Sequence, residues 1–463
     1  MLNIDYKITP QSLLPDLKNL FEMAGQKINL TREHWNPEKG TPVYTEKGCW
    51  TTRGWTEWTQ GFQFGCAIIQ FEATGDQEFL DYGREMTIKL MAPHVSHIGV
   101  HDHGFNNVST YGNLRRLMRE GLIPEDEGEL NFLEMALKVS GAIQAARWTQ
   151  MPGDLGYIHS FNGPQSLFSD TIRSVRALSL SHQLGHILMG EQDHKINLLE
   201  RGLQHAEATA RYNVYYGTGR DTWDIRGRVV HESIFNVNNG SYRCASTQQG
   251  YSPFTTWTRG HSWILAGYPE QLEFLDSVSA EQFNDLSVDS LSGKAEILKR
   301  FLEVSKAVAD FYLEQMPVDG IPYWDTGAPG LVEMGNYLDK PADPFNDHEP
   351  VDSSAAAISA QGLIRLGNYL KSAGDFEKGE TYFQAGLTVA RRLFGEPYLS
   401  TDPEHQGLLL HTVYHRPNNW DYIPAGRKIP CGESTMWGDY HLMELGLLLL
   451  RMAKNQPYYR FFN

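Results

Sequence analysis

Two short segments carry the carboxyl groups best placed to move a proton. One is His101-Asp102-His103-Gly104-Phe105; the other is Ser169-Asp170-Thr171-Ile172-Arg173. A carboxyl group desolvated by neighbouring rings keeps its proton to higher pH and can act as a general acid. One left in a polar setting stays ionised and serves as a base or an electrostatic partner. Asp102 and Asp170 are therefore a candidate acid–base pair. Simpler roles stay open for both. Asp102 is placed to cap a helix near residue 108, and Asp170 or Ser169 to cap the long helical stretch after it, by accepting free backbone N–H groups. A helix N-terminus also favours the anion and so opposes a rise in the Asp170 pKa. His101 and His103 lack the i, i+4 helical spacing of a zinc pair, and no metal or organic cofactor is expected.

A third cluster is Gln249-Gly250-Tyr251-Ser252 followed by Trp257-Thr258-Arg259-Gly260-His261-Ser262-Trp263. Arg259 between two tryptophans suits the holding of a carboxylate or hydroxyls beside a stacking ring, or else packs its stem on tryptophan at the surface. Trp50, Trp55, Trp58, Trp257 and Trp437 stand in polar, glycine-rich stretches. Flat rings beside polar groups suit sugar faces, although aromatics also simply fill cores. A fourth cluster, Asp352-Ser353-Ser354-Ala355-Ala356-Ala357-Ile358 with Trp437-Gly438-Asp439-Tyr440, reads first as close helix packing.

The elements that must position these groups are helical. Apolar residues recur at three and four spacing over 11–24, 56–72, 77–91, 130–147, 170–189, 195–214, 293–316, 354–371, 375–394 and 435–453, with shorter stretches near 108–118 and 258–278. Thr74-Gly75-Asp76 and Ala373-Gly374-Asp375 link two such pairs, and Gly190 with Asp193 a third. Glycine stops one helix and aspartate caps the next, so short links of this kind make antiparallel hairpins. Between the helices lie long polar loops at 28–54, 93–107, 149–168, 217–256, 318–352 and 396–433, and loops of such length are usually functional. Arg226–Ser241 alternates around Asn238-Asn239-Gly240, which predicts a small β-ribbon. No Pro/Ser-rich linker divides the chain. The expectation is one all-α domain over 1–463, with 1–54 as an N-terminal helix and loop.

Composition narrows the partners. The 463 residues carry a formal net charge of −16, so nucleic acid is a poor partner, and an anionic ligand would need a local basic pocket. The four cysteines, Cys49, Cys66, Cys244 and Cys431, form no CxxC or zinc pattern and read as thiols. The first residues show no charged start followed by an apolar run, and no stretch approaches a membrane span. A cytoplasmic protein is expected, or a periplasmic one if a leader was removed.

In order and wording, the segments Trp58-Thr59-Gln60-Gly61-Phe62, His101 to Phe105, Gln249 to Ser252, Trp257 to Trp263, Asp352 to Ile358 and Trp437 to Tyr440 resemble the unsaturated glucuronyl hydrolases, a glycoside hydrolase family. The resemblance runs from about Trp55 to Leu450. It implies an (α/α)6 barrel, a toroid of six helical hairpins, and an oligosaccharide partner with a terminal uronic acid. The implied reaction hydrates the C4=C5 double bond of the uronic acid that polysaccharide lyases leave at a non-reducing end. By motif position Asp170 matches the general acid/base and Asp102 the assisting carboxylate. His231, Arg259, Trp263 and Trp58 match positions beside the substrate, and His101 and Gln249 join them as substrate-binding candidates. The chain departs from the family's Asp-Asn-Met-Met-Asn at Asp170-Thr171-Ile172-Arg173-Ser174. Arg173, with Arg176 one turn on, is expected either to supply the basic pocket or to mark another substrate, such as an unsaturated rhamnogalacturonyl or saturated glucuronide. Phe161 or His159 stands where the family often has tryptophan. The remaining alternatives are a sugar-binding or structural toroid without catalysis and a helical toroid of the sugar-epimerase kind.

Overall fold

The computed structural model describes residues 1–54 and 57–462, so Trp55 lies outside the described residues. Helices alternate along the chain between an outer and an inner layer. The outer members are α1 (Leu14–His34), α3 (Gln77–Leu90), α5 (Glu127–Ala146), α7 (Leu198–Tyr212), α9 (Gly293–Gln315) and α11 (Phe376–Leu393). The inner members are α2 (Gln60–Thr74), α8 (Thr258–Ser277), α10 (Ser353–Ser372), α12 (Met436–Ala453) and two interrupted helices. These are α4, running His103–Asn107, a π-turn at Val108–Gly112 and Asn113–Arg119, and α6, made of Thr171–Ser174 and Arg176–Gln183. Each inner helix packs on the next, from α2 through α4, α6, α8 and α10 to α12, and α12 returns to α2. The ring is closed, and the fold is an (α/α)6 toroid. Periodicity alone could not show that closure.

Residue chemistry accounts for the hairpins. Gly75 takes φ +79° at the end of α2, and Asp76 caps α3 by accepting from Glu78 N. Gly374 and Asp375 do the same between α10 and α11. Small residues set the close contact between α8 and α10. A Cβ on Gly362 would stand 2.3 Å from the Leu265 carbonyl oxygen, and Ala355, Ala356 and Ala357 are fully buried beside it. The expected packing role of this run is therefore observed.

Three boundaries differ from expectation. α1 extends ten residues beyond the pattern, to His34, because its second half buries polar side chains: Lys27 bonds the Asp402 carbonyl and Thr31 accepts from Trp50 Nε1. α6 ends at Gln183, where Gly185 takes φ +74°, and Asn197 rather than Asp193 caps α7. The 28–54 stretch holds a hairpin of β1 (Thr41–Glu46) and β2 (Cys49–Arg53).

Further strands are short: β3 (Trp148–Met151), β4 (Leu155–Ile158), β5 (Ser166–Phe168), β6 (Leu188–Met189), β7 (Lys195–Ile196), β8 (Glu232–Phe235) and β9 (Tyr242–Ser246). β8 and β9 form the ribbon expected around Asn238-Asn239-Gly240, and β5 joins it as a third strand. All four cysteines are free thiols.

The ring is filled, not open. Arg173, Arg176 and Arg365 from inner helices meet Glu270 and Glu444 in a buried ion network, and the C-terminal Tyr459 stacks on Arg116 at 4.6 Å. The open space lies at the end where the inner helices begin.

Candidate active site

A cleft of about 380 Å³ opens at the N-termini of the inner helices. Asp102 precedes α4 and Asp170 precedes α6, both at the N-cap position, yet neither side chain accepts a cap hydrogen bond. Asp76, Asp126, Asp352 and Asp375 all cap in this structure, so the two cleft aspartates are the exceptions. The capping role left open by the sequence is not taken up, and both carboxyl groups line the cleft.

His101 joins them. Its Nε2 lies 3.5 Å from Asp170 Oδ1 and 3.7 Å from Asp102 Oδ1. The ring is buried, parallel to Phe161 with centroids 6.1 Å apart and edge-on to Phe168, and neither ring nitrogen has a closer protein partner. Phe161, not His159, is thus the aromatic beside the acid.

Burial pushes Asp102 above its ordinary value, with His101 opposing. Burial also works to raise Asp170, but the charge and hydrogen bond of His101, helped by His231, outweigh it and hold Asp170 below the usual range. Burial works to lower His101, and Asp102 followed by Asp170 carries it above 6.5 instead. The two carboxyls on one imidazole are thus shifted in opposite directions, Asp102 up and Asp170 down.

His231 lies on the strand approach to β8. Its Nδ1 accepts from the backbone N–H of Gln248 at 3.0 Å and Gln249 at 3.3 Å. Those donors place the ring proton on Nε2, and burial lowers the pKa to about 4, so His231 is a neutral donor.

Arg259 has a different role from the one its setting suggests. Its terminal nitrogens donate to Asp352 Oδ2 at 2.9 Å, the Val413 carbonyl, Gln249 Oε1 at 3.0 Å and the Tyr414 carbonyl at 2.7 Å. The guanidinium lies between the rings of Trp257 and Trp437, at 4.7 and 4.8 Å. Every terminal N–H is used within the protein, so Arg259 is a strut that joins α8, α10 and the 396–433 loop. It also fixes the Gln249 amide, whose oxygen it occupies, and leaves the amide N–H groups for the cleft. Trp58 stacks on Trp437 at 4.9 Å and lines the mouth; Trp263 lines the floor.

Arg173 does not line the cleft. It is buried in the ring core, 2.7 Å from Glu270 Oε2 and 2.9 Å from Glu444 Oε2. The expectation that it supplies a basic pocket is corrected: two buried carboxylates demand its charge. Among the described residues lining the cleft, Arg259 carries the lone guanidinium or ammonium group, and it is committed. Of the other groups there, His101 is the one whose positive form its neighbours Asp102 and Asp170 favour.

The sequence reading missed Glu57, Tyr414, His415 and Trp420, which also line the cleft. Burial raises the Glu57 pKa, and Asp102 adds to the rise. The Asp421 carboxylate accepts from the N–H groups of Tyr414 and His415 and so folds the loop that presents Trp420. Trp420 follows two asparagines, the same polar setting that marked Trp58, and that signal was there to be used. Among the described residues no group of three His, Cys, Asp or Glu side chains is arranged to hold a metal ion.

No family model matches the chain. It is 25% identical over 411 residues to the unsaturated glucuronyl hydrolase of Bacillus sp. (strain GL1), covering 88% of this chain and 89% of that protein. It is 22% identical over 454 residues to the unsaturated chondroitin disaccharide hydrolase of Streptococcus agalactiae serotype III, covering 96% and 93%. The crystal structure of the Bacillus enzyme matches with a TM-score of 0.69 at 21% identity over 96% of this chain and 98% of that one. An S. agalactiae unsaturated glucuronyl hydrolase structure matches with a TM-score of 0.68 at 20% identity, over 99% and 98%. These structures share the fold, and the sequence similarity runs nearly end to end. The chain is a divergent relative of the unsaturated glucuronyl and chondroitin disaccharide hydrolases.

Proposed function

We propose that this protein is a hydrolase of oligosaccharides that end in a 4,5-unsaturated uronic acid, acting by hydration of the C4=C5 vinyl ether. The observation that carries this reading is the Asp102–His101–Asp170 group at the floor of an aromatic-walled cleft. The sequence relatives named for this activity support it, and an S. agalactiae relative has been solved with dGlcA-GalNAc6S bound.

Before substrate binds, the two carboxyl groups make His101 hold its proton more firmly than a free imidazole, burial raises Asp102, and His101 favours the anion of Asp170. Nε2 of His101 is the route by which Asp170 gains a proton. Transfer leaves neutral imidazole and a neutral carboxyl group. Asp170 then gives that proton to C4, and positive charge develops at C5 and the ring oxygen. Water adds to C5 and its proton returns to Asp170. The C5 hemiketal opens by breaking its bond to the ring oxygen, and C1 collapses to an aldehyde as the neighbouring sugar leaves. Asp102 keeps the imidazole in place, His231 donates through Nε2, and the Gln249 amide donates beside it. Attack at the anomeric carbon is not needed, so the carboxyl spacing of ordinary glycosidases does not apply.

The saturated-glucuronide reading rested on Arg173 and on the altered aromatic upstream of Asp170; burial of Arg173 in the ion network removes the first of these motives. The test is loss of ultraviolet absorbance from the conjugated double bond. Unsaturated disaccharides from glycosaminoglycan, gellan and pectin lyase digests would serve as substrates, with Asp170→Asn as control. Absorbance loss that disappears in the variant supports the reading. No loss on any digest overturns it.

A further inference from the structure

Four large apolar side chains stand exposed on loops that lead into the cleft. Trp223, Ile225, Tyr251 and Phe254 are each about half exposed, at 50, 53, 51 and 49%. They stand on two loops that lead into the site. The 217–228 loop runs on to His231, and the 249–256 loop is anchored at both ends by the cleft residues Gln249 and Trp257. Two residues separate Phe254 from Trp257, which keeps their Cα atoms within roughly 10 Å.

These rings are held, not loose. The buried Arg228 donates to the Trp223 carbonyl at 2.7 Å and to the Pro253 carbonyl at 3.1 Å, which ties the loops together. The Asp224 carboxylate accepts from the N–H groups of Gly217, Thr218 and Arg220. Tyr251 N–H donates to Asp325 Oδ2 at 2.8 Å. The Trp223 and Phe254 rings lie 5.8 Å apart, inclined by 34°. A cluster of exposed large rings on ordered loops marks a contact surface.

We infer that this platform is a subsite for sugars on the reducing-end side of the cleaved linkage, whose apolar ring faces stack on Trp223 and Phe254. Resting on the activity proposed above, the inference adds a preference for chains longer than the disaccharide. Continuity with the cleft argues for this occupant. A chain leaving past Gln249 and Trp257 has the 249–256 loop as its wall, and half-exposed aromatic rings offer stacking with no charge to repel a uronate.

The test compares an unsaturated tetrasaccharide with the matching disaccharide. Binding is measured by calorimetry on Asp170→Asn protein, with and without Trp223→Ala and Phe254→Ala. The expected result is about tenfold tighter binding of the tetrasaccharide, brought to parity by the double substitution. Equal affinity for the two lengths overturns the inference, as does a double substitution that weakens both ligands alike or neither. A dimer of the unmodified protein that the double substitution dissociates in sedimentation also overturns it, by making the platform a contact between copies. Circular dichroism and thermal unfolding of the Trp223→Ala/Phe254→Ala protein serve as the folding control. Turnover of the disaccharide by unmodified protein is checked separately, so a failure there counts against the reaction and not against the platform.

Discussion

Nε2 of His101 sits 3.5 Å from Oδ1 of Asp170, and both atoms are buried with no closer protein partner. This pairing, reinforced by Asp102 on the same nitrogen, raises His101, lowers Asp170 and leaves Asp102 raised by burial. That arrangement and the struts around it are open to direct test.

Asp170→Asn should lower kcat by about 10³-fold, within the range of a lost general acid, with little change in thermal unfolding. Asp102→Asn should cost less, about 10²-fold, because it removes support for His101 and not the donor itself. Absorbance kinetics with circular dichroism as the fold check would decide between loss of chemistry and loss of structure.

The pH profile depends on His101. Its pKa is raised above 6.5, so the alkaline limb of kcat/KM should lie above that value. In His101→Asn the catalytic proton must reside on a carboxyl group. Asp170 then loses the charge that depresses it, and burial moves its pKa up instead. The pH optimum should move to lower pH. The stability linkage has a definite sign. The depressed Asp170 contributes above its ordinary 3.8 and loses the contribution as pH falls through its folded value. The raised His101 contributes below 6.5 and loses it as pH rises through its folded value. Melting temperature in His101→Asn should therefore lose both its rise with pH below 3.8 and its fall with pH above 6.5, and lie lower across the plateau between them.

Arg259→Lys should damage both stability and binding. A lysine cannot reach four acceptors, so Asp352 and two carbonyls lose donors, and Gln249 loses its fixed orientation. About 3 kcal/mol of destabilisation is expected from weakening a buried pair. KM should rise as well. A rise in KM without any drop in stability would contradict the strut role.

Arg173→Met should be destabilising by about 3–5 kcal/mol, because Glu270 and Glu444 remain buried without it. Adding Glu444→Gln removes one of those charges and should recover part of the loss. KM of the double variant should stay within about twofold of the unmodified protein, a change below about 0.5 kcal/mol. A large KM increase would return Arg173 to the site.

Several features are legible in the amino-acid sequence by itself. The 3.6-residue period exposes most helices, since a helix that buries one stripe must write that stripe into its sequence. Gly75-Asp76 and Gly374-Asp375 announce two hairpins through purely local chemistry. Asp102, Asp170 and Trp58 stand out because each sits in a short motif of neighbouring residues, and His231 through the family resemblance.

Other features needed the tertiary structure. The end of α1 and the start of α4 bury polar residues such as Lys27, Thr31, Asn106 and Asn107, and so hide from a hydrophobic period. Arg259 and Arg173 look alike in sequence, each an arginine near a helix start. Partners 93 and 154 residues away along the chain from Arg259 made one a strut beside the cleft. Glu444, 271 residues from Arg173, drew the other into the core. Glu57, Tyr414 and Trp420 share a wall only because the ring closes α12 onto α2. Periodicity records what a residue buries, whereas a charge finds its partner through space, and only the folded ring brings those distant partners together.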